Sequence, residues 1–289
     1  MDAPRNLDNM PRAIMWMLAS GLSFALMGAM VKFAGDVALP AKVFLRNFVT
    51  LLITGSVAFR LQQNPFSPTT NWRRLLFRSL SGLAGVLLYF LAIERLHLAD
   101  ASLLNKTSPF FATIFAVVFL KEQFNRAMVP ALIAAFAGAM LIIKPSFDGA
   151  PWPAIAGFGS GLFAGIAYVL VRSLKNKESP NRIILTFSLI SCLGTLPFLV
   201  ANPPQPTGKE WLALLGTGVF GAGGQYGLTF AFHHARASRI SVFSYMHVLF
   251  ALIIGFAFWG ERPDMPSIAG GALIVGAAIW THRMDRKPK

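Results

Sequence analysis

The chain has 289 residues, of which 55% are hydrophobic and only 13% are charged, and its formal net charge at pH 7 is +14. Ordinary soluble domains carry roughly 25% charged residues, so this composition excludes a typical soluble domain and predicts a protein embedded in a lipid bilayer. The single cysteine, Cys192, excludes an intramolecular disulfide.

Apolar stretches recur along the whole chain and approach the roughly 20 helical residues that span a bilayer. Because a backbone in lipid must satisfy its own hydrogen bonds, these stretches are predicted to be helices. The first stretch is longer than the roughly 7 to 15 apolar residues of a cleavable signal peptide and is predicted to remain a membrane span. The sequence thus predicts an all-α integral membrane protein with ten transmembrane helices, over residues 14–33, 41–59, 75–95, 99–119, 127–143, 152–172, 182–200, 211–232, 239–259 and 266–282.

The basic residues are concentrated in the connections that lie on one side of the predicted membrane. If the N-terminus is cytoplasmic, most of the 26 Lys and Arg residues lie in or beside cytoplasmic segments, which include Arg12, Arg60, Arg73, Arg74, Arg78, Arg172, Arg182, Arg236 and Lys287. The positive-inside rule therefore predicts that both termini lie in the cytoplasm. The expected location of this multi-pass protein is a bacterial-type inner (plasma) membrane. Since topology accounts for the positive charge, we expect no nucleic-acid partner.

The chain also contains an internal repeat at an offset of about 139 residues. Matched pairs include Lys32 with Arg172, Gly82 with Gly221, Gly85 with Gly224, and Glu122 with Glu261. Each half holds five predicted spans, and because five is odd the second half must cross the membrane in the opposite sense. We therefore predict two inverted five-helix repeats, residues 1–146 and 147–289.

Glycine supplies the expected packing surfaces. In the sixth span, glycines that include Gly161 recur every four residues. In the eighth span, glycines that include Gly221 and Gly224 recur every three residues. Such faces permit close helix contact in lipid. These glycines are predicted to have structural roles, as is Pro109, which removes a backbone donor from the fourth span.

Sequence motifs of enzyme active sites are missing from the chain. It has no His-Glu-x-x-His, Cys pair, Gly-x-Ser-x-Gly, P-loop or Rossmann pattern, and its five histidines form no ligand cluster. We therefore predict that the protein is not an enzyme, with no catalytic residue, metal site or cofactor. A membrane-embedded enzyme and a structural protein are the alternatives from other functional classes.

Polar residues at the centre of two spans are the strongest candidates for a binding site, because an ionisable group in hydrocarbon costs about 2.5–3.5 kcal/mol. Asn105, Lys106 and Ser108 lie near the middle of the fourth span, and Tyr245 and His247 lie at the matching depth of the ninth. The repeat predicts that the two patches meet at the midplane, where inverted-repeat carriers bind substrate. The alternative is that Lys106 extends to the nearer interface.

A cation at the midplane favours an anionic group, and a carboxylate is the commonest one on a small metabolite. Side chains that would surround the rest of such a substrate, or else simply pack, are Phe24, Tyr89, Tyr168, Gln225 and Tyr226. All twelve Asp and Glu residues lie in termini, connections or span ends. We therefore predict facilitated diffusion or exchange, with His247 as the only titrating substitute at depth. Glu122 and Glu261 are expected to form exposed pairs with Lys121 and Arg262.

The segment from Ala101 to Ala112, followed by Leu120-Lys121-Glu122, resembles the EamA-type signature of the drug/metabolite transporter superfamily, and a weaker echo runs from Ile240 to Glu261. The resemblance implies ten helices, cytoplasmic termini and a central cavity, with spans five and ten outside it. Arg46 matches a common arginine of the family pattern, although an interfacial anchor explains it equally well. The resemblance also implies export of amino acids or related metabolites, as in YddG-type exporters of aromatic amino acids.

Together these expectations describe a secondary transporter that exports, or facilitates passage of, neutral or aromatic amino acids or related metabolites by alternating access. Carriers of drugs, purines or nucleotide sugars in the same superfamily are the main alternative. The expected partners are a small-molecule substrate and the lipid bilayer, and the protein is expected to be a monomer or a weak homodimer.

Overall fold

The computed structural model describes residues 9–286 except positions 36, 66, 96–102, 124–125, 127, 144–150, 202 and 261. Within these residues the chain is all-helical, as predicted, and contains no strand. The helices are α1 (Met10–Phe33), α2 (Leu39–Arg60), α3 (Trp72–Arg95), α4 (Ser108–Leu120), α5 (Met128–Ile143), α6 (Pro151–Ser173), α7 (Pro180–Ala201), α8 (Gly208–His234), α9 (Met246–Trp259) and α10 (Met265–Arg286).

Seven helical stretches of the described chain are long and apolar enough to cross a membrane. They are α1, α2, α6, α7, α10 and the segments Leu103–Leu120 and Ala237–Trp259, which contain α4 and α9. The remaining helices are α3, α8 and the 16-residue α5. A complete set of ten crossings therefore stays a prediction, and the predicted boundary at residues 146 and 147, both chain ends and Glu261 lie outside the described residues.

Local sequence sets several helix ends. At the start of α1, the side chain of Asn9 accepts a hydrogen bond from the backbone N–H of Arg12 at 3.1 Å, and Pro11 stands in the first turn. At the start of α8, the Glu210 carboxylate accepts a bond from the backbone N–H of Thr207 at 2.6 Å. Helix α9 is followed by Gly260, whose φ of 67° is left-handed and favours glycine.

The helices before α4 and α9 are interrupted at corresponding places in the two halves. In the first half, the chain leaves the helical conformation at Lys106–Thr107, just before α4 begins with Ser108 and Pro109. In the second half, a short turn over Ala237–Ile240 passes into a 3₁₀ helix over Ser241–Tyr245 before α9 begins. The backbone around Lys106 is therefore not part of a regular helix.

The most extensive helix contacts all join the first half of the chain to the second. Helix α1 packs on α8 and α9, and its repeat counterpart α6 packs on α3 and α4. Helix α2 packs on α7 and α8, its counterpart α7 packs on α2 and α3, and α5 packs on α10. The contacts thus follow a twofold pattern, because each pair of helices recurs when the halves are exchanged.

Close backbone approach explains several glycines in these contacts. A Cβ added to Gly161 would lie 2.8 Å from the carbonyl oxygen of Leu104, and one added to Gly224 would lie 2.5 Å from the ring of Phe24. At Gly221 the nearest atom is the Cγ of Arg46, at 3.0 Å. These glycines therefore let the halves approach each other around the centre of the bundle.

Gly138 and Gly270 form the closest part of the α5–α10 contact. A Cβ added to either one would lie 2.5 Å from the carbonyl oxygen of the other. We therefore expect Gly138→Ala to destabilise the protein by about 1–3 kcal/mol, the usual cost of overpacking. Gly276→Ala on α10 is the matched control, because no atom lies within 4 Å of its added Cβ. Thermal unfolding in detergent measures both, and equal melting temperatures would contradict the expectation.

Candidate functional site

A cavity of about 530 Å³ lies between the two halves of the chain. Its lining comes from α1, α2, α3, the Asn105–Lys106 segment, α6, α7, α8 and α9, and none of the described residues of α5 and α10 contributes to it. Sites for small molecules usually have volumes of about 300–1,000 Å³. The cavity therefore has the size of a site for one small metabolite.

Four cationic side chains are part of the cavity wall. Lys32, Arg46, Arg78 and Lys106 are part of its wall, and among the described residues no Asp or Glu is. Arg46 and Arg78 are buried, and a buried charge without a counter-charge is costly in a low-dielectric environment. The described lining thus provides positive charge for an anionic ligand.

Arg78 enters this wall from the second turn of α3. Its side chain is only 3% exposed, its guanidinium lies 4.2 Å from the ring centre of Phe187, and its Nη2 donates to the Oε1 of Gln225 at 3.1 Å. Its Nε and Nη1 are buried and have no hydrogen-bond acceptor among the described residues. Stacking and one hydrogen bond therefore hold the guanidinium in place while two donor atoms stay unused.

Arg46 enters from α2 and is 7% exposed. Its Nε faces the sulfur of Met27 at 3.3 Å, and its Nη1 donates to the Oδ1 of Asn47 at 3.4 Å. A thioether and an amide are weak partners for a full positive charge. Arg46, which the sequence matched to a common family arginine or to an interfacial anchor, is thus a buried part of the cavity wall.

Lys106 lies where the first-half helix is interrupted. Its own carbonyl oxygen, no longer in a regular helix ladder, accepts a hydrogen bond from the hydroxyl of Tyr245 at 2.7 Å. The carbonyl oxygen of Leu104 accepts two hydrogen bonds from Thr107, one from its hydroxyl at 2.6 Å and one from its backbone N–H at 3.1 Å. The two polar patches predicted from the repeat therefore meet, through a bond from the second half to the backbone of the first.

Most of the predicted binding residues line the cavity. They are Phe24, Tyr89, Asn105, Lys106, Tyr168, Gln225 and His247. Ser108, Tyr245 and Tyr226 do not. Ser108 is buried at the start of α4, and Tyr245 is fully buried with its hydroxyl on the Lys106 backbone. The hydroxyl of Tyr226 points to α7, where it donates to the Oδ1 of Asn181. These three side chains support the wall and are not part of its surface.

Arg78 is the main residue of the wall that the sequence assigned elsewhere. The positive-inside pattern predicts a cytoplasmic charge at Arg78, as at Arg73 and Arg74, but the structure buries Arg78 in the cavity wall. The spacing of residues on α3 could have predicted this position. Gly82 and Tyr89 follow Arg78 by four and eleven residues, and such spacings place all three residues on the same face of a helix. A charge on the face that carries candidate binding residues points inward.

One end of the cavity reaches the surface of the bundle. There the ammonium of Lys32, an exposed residue near the end of α1, lies 4.3 Å from the ring centre of Trp259 at the end of α9. At the opposite end, a buried apolar cluster fills the bundle, and it includes Met17, Val171, Leu174, Ile183 and Phe232. The cavity is therefore open at the α1–α9 end and closed at the other.

An ion pair is part of the closed end. The Nε of Arg172, at the end of α6, lies 3.0 Å from the Oε1 of Glu122, just after α4, and both side chains are less than 10% exposed. The Nη1 of Arg172 also donates to the carbonyl oxygens of Phe232 and His233 in α8, at 3.3 and 3.4 Å. The expected exposed pair between Glu122 and Lys121 is thus wrong: the side chain of Glu122 is buried and joins the end of α4 to α6.

Comparison with known proteins agrees with this architecture. The sequence profile of the EamA-like transporter family matches the chain twice, over residues 11–144 and 151–282. A solved crystal structure with 17% sequence identity superposes with a TM-score of 0.86 over 96% of this chain and 99% of its own, which shows a shared fold.

Two curated relatives match nearly the full chain. The pseudopaline exporter CntI of Pseudomonas aeruginosa is 35% identical, over 97% of this chain and 99% of that protein. A riboflavin transporter of Rhizobium johnstonii is 28% identical, over 95% of this chain and 93% of that protein. The chain is thus similar along its length to carriers of different small molecules.

Proposed function

Because the chain belongs to the EamA-like transporter family, and is therefore a membrane transporter of small molecules and not an enzyme, we propose that it exports a carboxylated metabolite of the amino acid type through its central cavity. The observation that carries this proposal is the cationic wall: Arg46, Arg78 and Lys106 line the cavity, and among its described residues there is no carboxylate. An exporter among its relatives supports the direction.

Substrate binding is assigned to the region around Lys106. The ammonium attracts a substrate carboxylate, and the interrupted backbone at Lys106–Thr107 brings polar groups into the wall. Phe24, Tyr89 and Tyr168 also line the cavity and provide apolar surface for the rest of the molecule. The neutral and aromatic amino acids expected from the sequence are therefore suitable first test substrates.

The arrangement of the two halves supports alternating access. Two inverted repeats of five crossing helices, with their termini in the cytoplasm, are supported by the twofold contact pattern and by the interruptions at corresponding places. In that topology the open α1–α9 end faces the periplasm, and the end closed by Glu122 and Arg172 faces the cytoplasm. Rocking of one half against the other would exchange the open and closed ends.

Transport without proton coupling is part of the proposal. Proton-coupled carriers commonly place an ionisable carboxylate at depth, whereas the described wall of this cavity contains no Asp or Glu. Facilitated diffusion or exchange needs no proton carrier. We therefore expect flux that is independent of the pH gradient.

Counterflow in proteoliposomes tests the proposed function. Vesicles loaded with unlabelled phenylalanine should accumulate labelled phenylalanine from outside, with no ion gradient imposed, because an exchanger moves label against unlabelled substrate. Protein-free liposomes are the control, and a panel of methionine and threonine ranks the side chains. Uptake that requires a pH gradient, and that stops in His247→Ala, would contradict the uncoupled mechanism.

A further inference from the structure

A second cavity, of about 440 Å³, lies beside the Glu122–Arg172 pair at the closed end of the bundle. It shares no lining residue with the central cavity. Its described lining comes from the end of α4 and the residues after it, from the end of α6 and the turn after it, and from Arg236. Only Leu120 among these residues is apolar, so the second cavity suits a small hydrophilic ligand and not the aromatic compounds that suit the central one.

The second cavity is strongly positive. Lys121, Arg172, Lys175 and Arg236 are part of its described lining, and Glu122 is the only carboxylate there. Because Glu122 pairs with Arg172, its negative charge is already used within the wall. The three other cations are more than one carboxylate of a ligand would balance.

Lys121 has a backbone conformation that is unfavourable for a lysine. Its φ is 52°, in the left-handed region, and the corresponding residue of the second half is Gly260, whose φ is 67°. A glycine adopts this conformation without the steric strain that a Cβ brings. The first half therefore keeps a positive charge at the cavity in spite of backbone strain, a combination that is typical of functional sites.

The donors of the second cavity match the oxygens of a phosphate group. An arginine provides a planar fork of N–H donors, and a lysine provides a compact charge. The hydroxyl of Ser173 and the side-chain amides of Gln123 and Asn176 add uncharged donors to the same wall. A phosphate group carries up to two negative charges and several acceptor oxygens, so it can pair with more than one of these cations at once.

We propose that this second cavity binds the phosphate group of a small hydrophilic compound, and that the bound phosphate keeps this end of the protein closed. Lys121 belongs to the first half of the chain, whereas Lys175 and Arg236 belong to the second. Like charges from the two halves repel each other, and a bound anion removes this repulsion and joins the halves. In the topology of the proposed function the site faces the cytoplasm, where a phosphate compound would slow export.

Phosphate binding by the purified protein in detergent tests the site without any transport. Inorganic phosphate should raise the melting temperature above that in chloride at the same pH and ionic strength, because a ligand of the folded state stabilises it. Titration of this shift gives the affinity, which Lys121→Gly, Lys175→Gln and Arg236→Gln should each weaken about 10-fold. Wild-type affinity in all three variants would overturn the site.

Lys121→Gly is the most informative of these variants, because it removes the charge and relieves the left-handed backbone together. Without phosphate its melting temperature should equal or exceed that of the wild type, so weaker binding would not result from unfolding. Gln62→Gly is the matched control, because Gln62 also has a φ of 52°, is exposed and lies outside the cavity lining. This control should bind phosphate like the wild type.

Counterflow measures the effect of the bound phosphate on closure. Exchange of phenylalanine by the wild type should be slower in phosphate buffer than in chloride buffer of equal ionic strength, and this difference should shrink in Lys121→Gly and Arg236→Gln. Equal rates in the two buffers, for protein that binds phosphate, would overturn the effect on closure. Failure to exchange any substrate would contradict the proposed function, and the melting temperatures would still decide whether the site exists.

The lipid composition of the vesicles distinguishes a soluble phosphate compound from a phospholipid headgroup, which carries the same group. Phosphatidylcholine liposomes with and without phosphatidylglycerol are compared, each in phosphate and in chloride. Slowing that follows the added phosphate in both kinds of liposome supports a soluble ligand. Slowing that follows phosphatidylglycerol alone would overturn that assignment.

Discussion

Lys106→Ala is expected to slow counterflow of carboxylated substrates about 10- to 100-fold, because a hydrogen bond to a charged group contributes about 1.5–3 kcal/mol and each 1.4 kcal/mol is a factor of ten. The loss should be much smaller for the corresponding amides, which bring no negative charge. Rates for phenylalanine and phenylalaninamide, measured in the same proteoliposome preparation, give the two effects side by side.

Three companion variants make this result specific. Lys106→Arg keeps the charge and should retain more exchange than Lys106→Ala. Lys209→Ala removes an exposed lysine at the start of α8 and should have no effect. Tyr245→Phe removes the hydrogen bond to the Lys106 backbone without changing a charge, so it should impair both substrates equally. Equal losses for phenylalanine and its amide in Lys106→Ala would rule out the charge pairing.

Arg172→Ala is expected to open the closed end of the cavity. Removal of one partner of a buried ion pair costs about 3–5 kcal/mol, and Arg172 also joins α6 to the backbone of α8. If the pair exists only while this end is closed, its loss shifts the protein towards the opposite conformation. A change of 3 kcal/mol shifts the ratio of the two conformations by roughly a hundredfold.

Cysteine labelling measures this shift. With Cys192 replaced by serine, Val169→Cys places a thiol within the buried cluster at the closed end. Arg172→Ala should increase its labelling by a membrane-impermeant maleimide applied to inside-out vesicles. The double variant Glu122→Arg with Arg172→Glu restores opposite charges and should reduce the labelling again. Unchanged labelling in Arg172→Ala would show that the pair does not control access.

The helical architecture and much of the candidate site could be predicted from the sequence. Long apolar stretches leave few alternatives to helices in lipid, and the repeat makes Lys106 and Tyr245 counterparts, which the structure joins by a hydrogen bond. The lysine in the middle of an apolar span is a strong signal. A charged group in hydrocarbon is costly, and its presence therefore indicates a functional site. The apolar pattern is sufficient to predict the helices, and the internal repeat is sufficient to pair Lys106 with Tyr245.

Other features depend on helix rotation and on contacts between helices far apart in the chain. Arg78 follows two exposed arginines by one turn, and only the rotation of α3 separates its buried position from theirs. Glu122 and Arg172 are fifty residues apart, so the adjacent Lys121 was the more obvious partner. Tyr226 follows the cavity residue Gln225 directly, and a helix turns adjacent side chains to different faces.

The positive wall of the cavity also has a consequence for the energy of export. A cell interior is electrically negative, and moving one elementary charge through 100 mV changes the free energy by about 2.3 kcal/mol. A carrier that returns empty with its own charges unchanged moves, over a full cycle, only the charge of its substrate. Each net negative charge on an exported anion would therefore support roughly a fiftyfold outward gradient at that voltage. The membrane potential would drive such export without a proton.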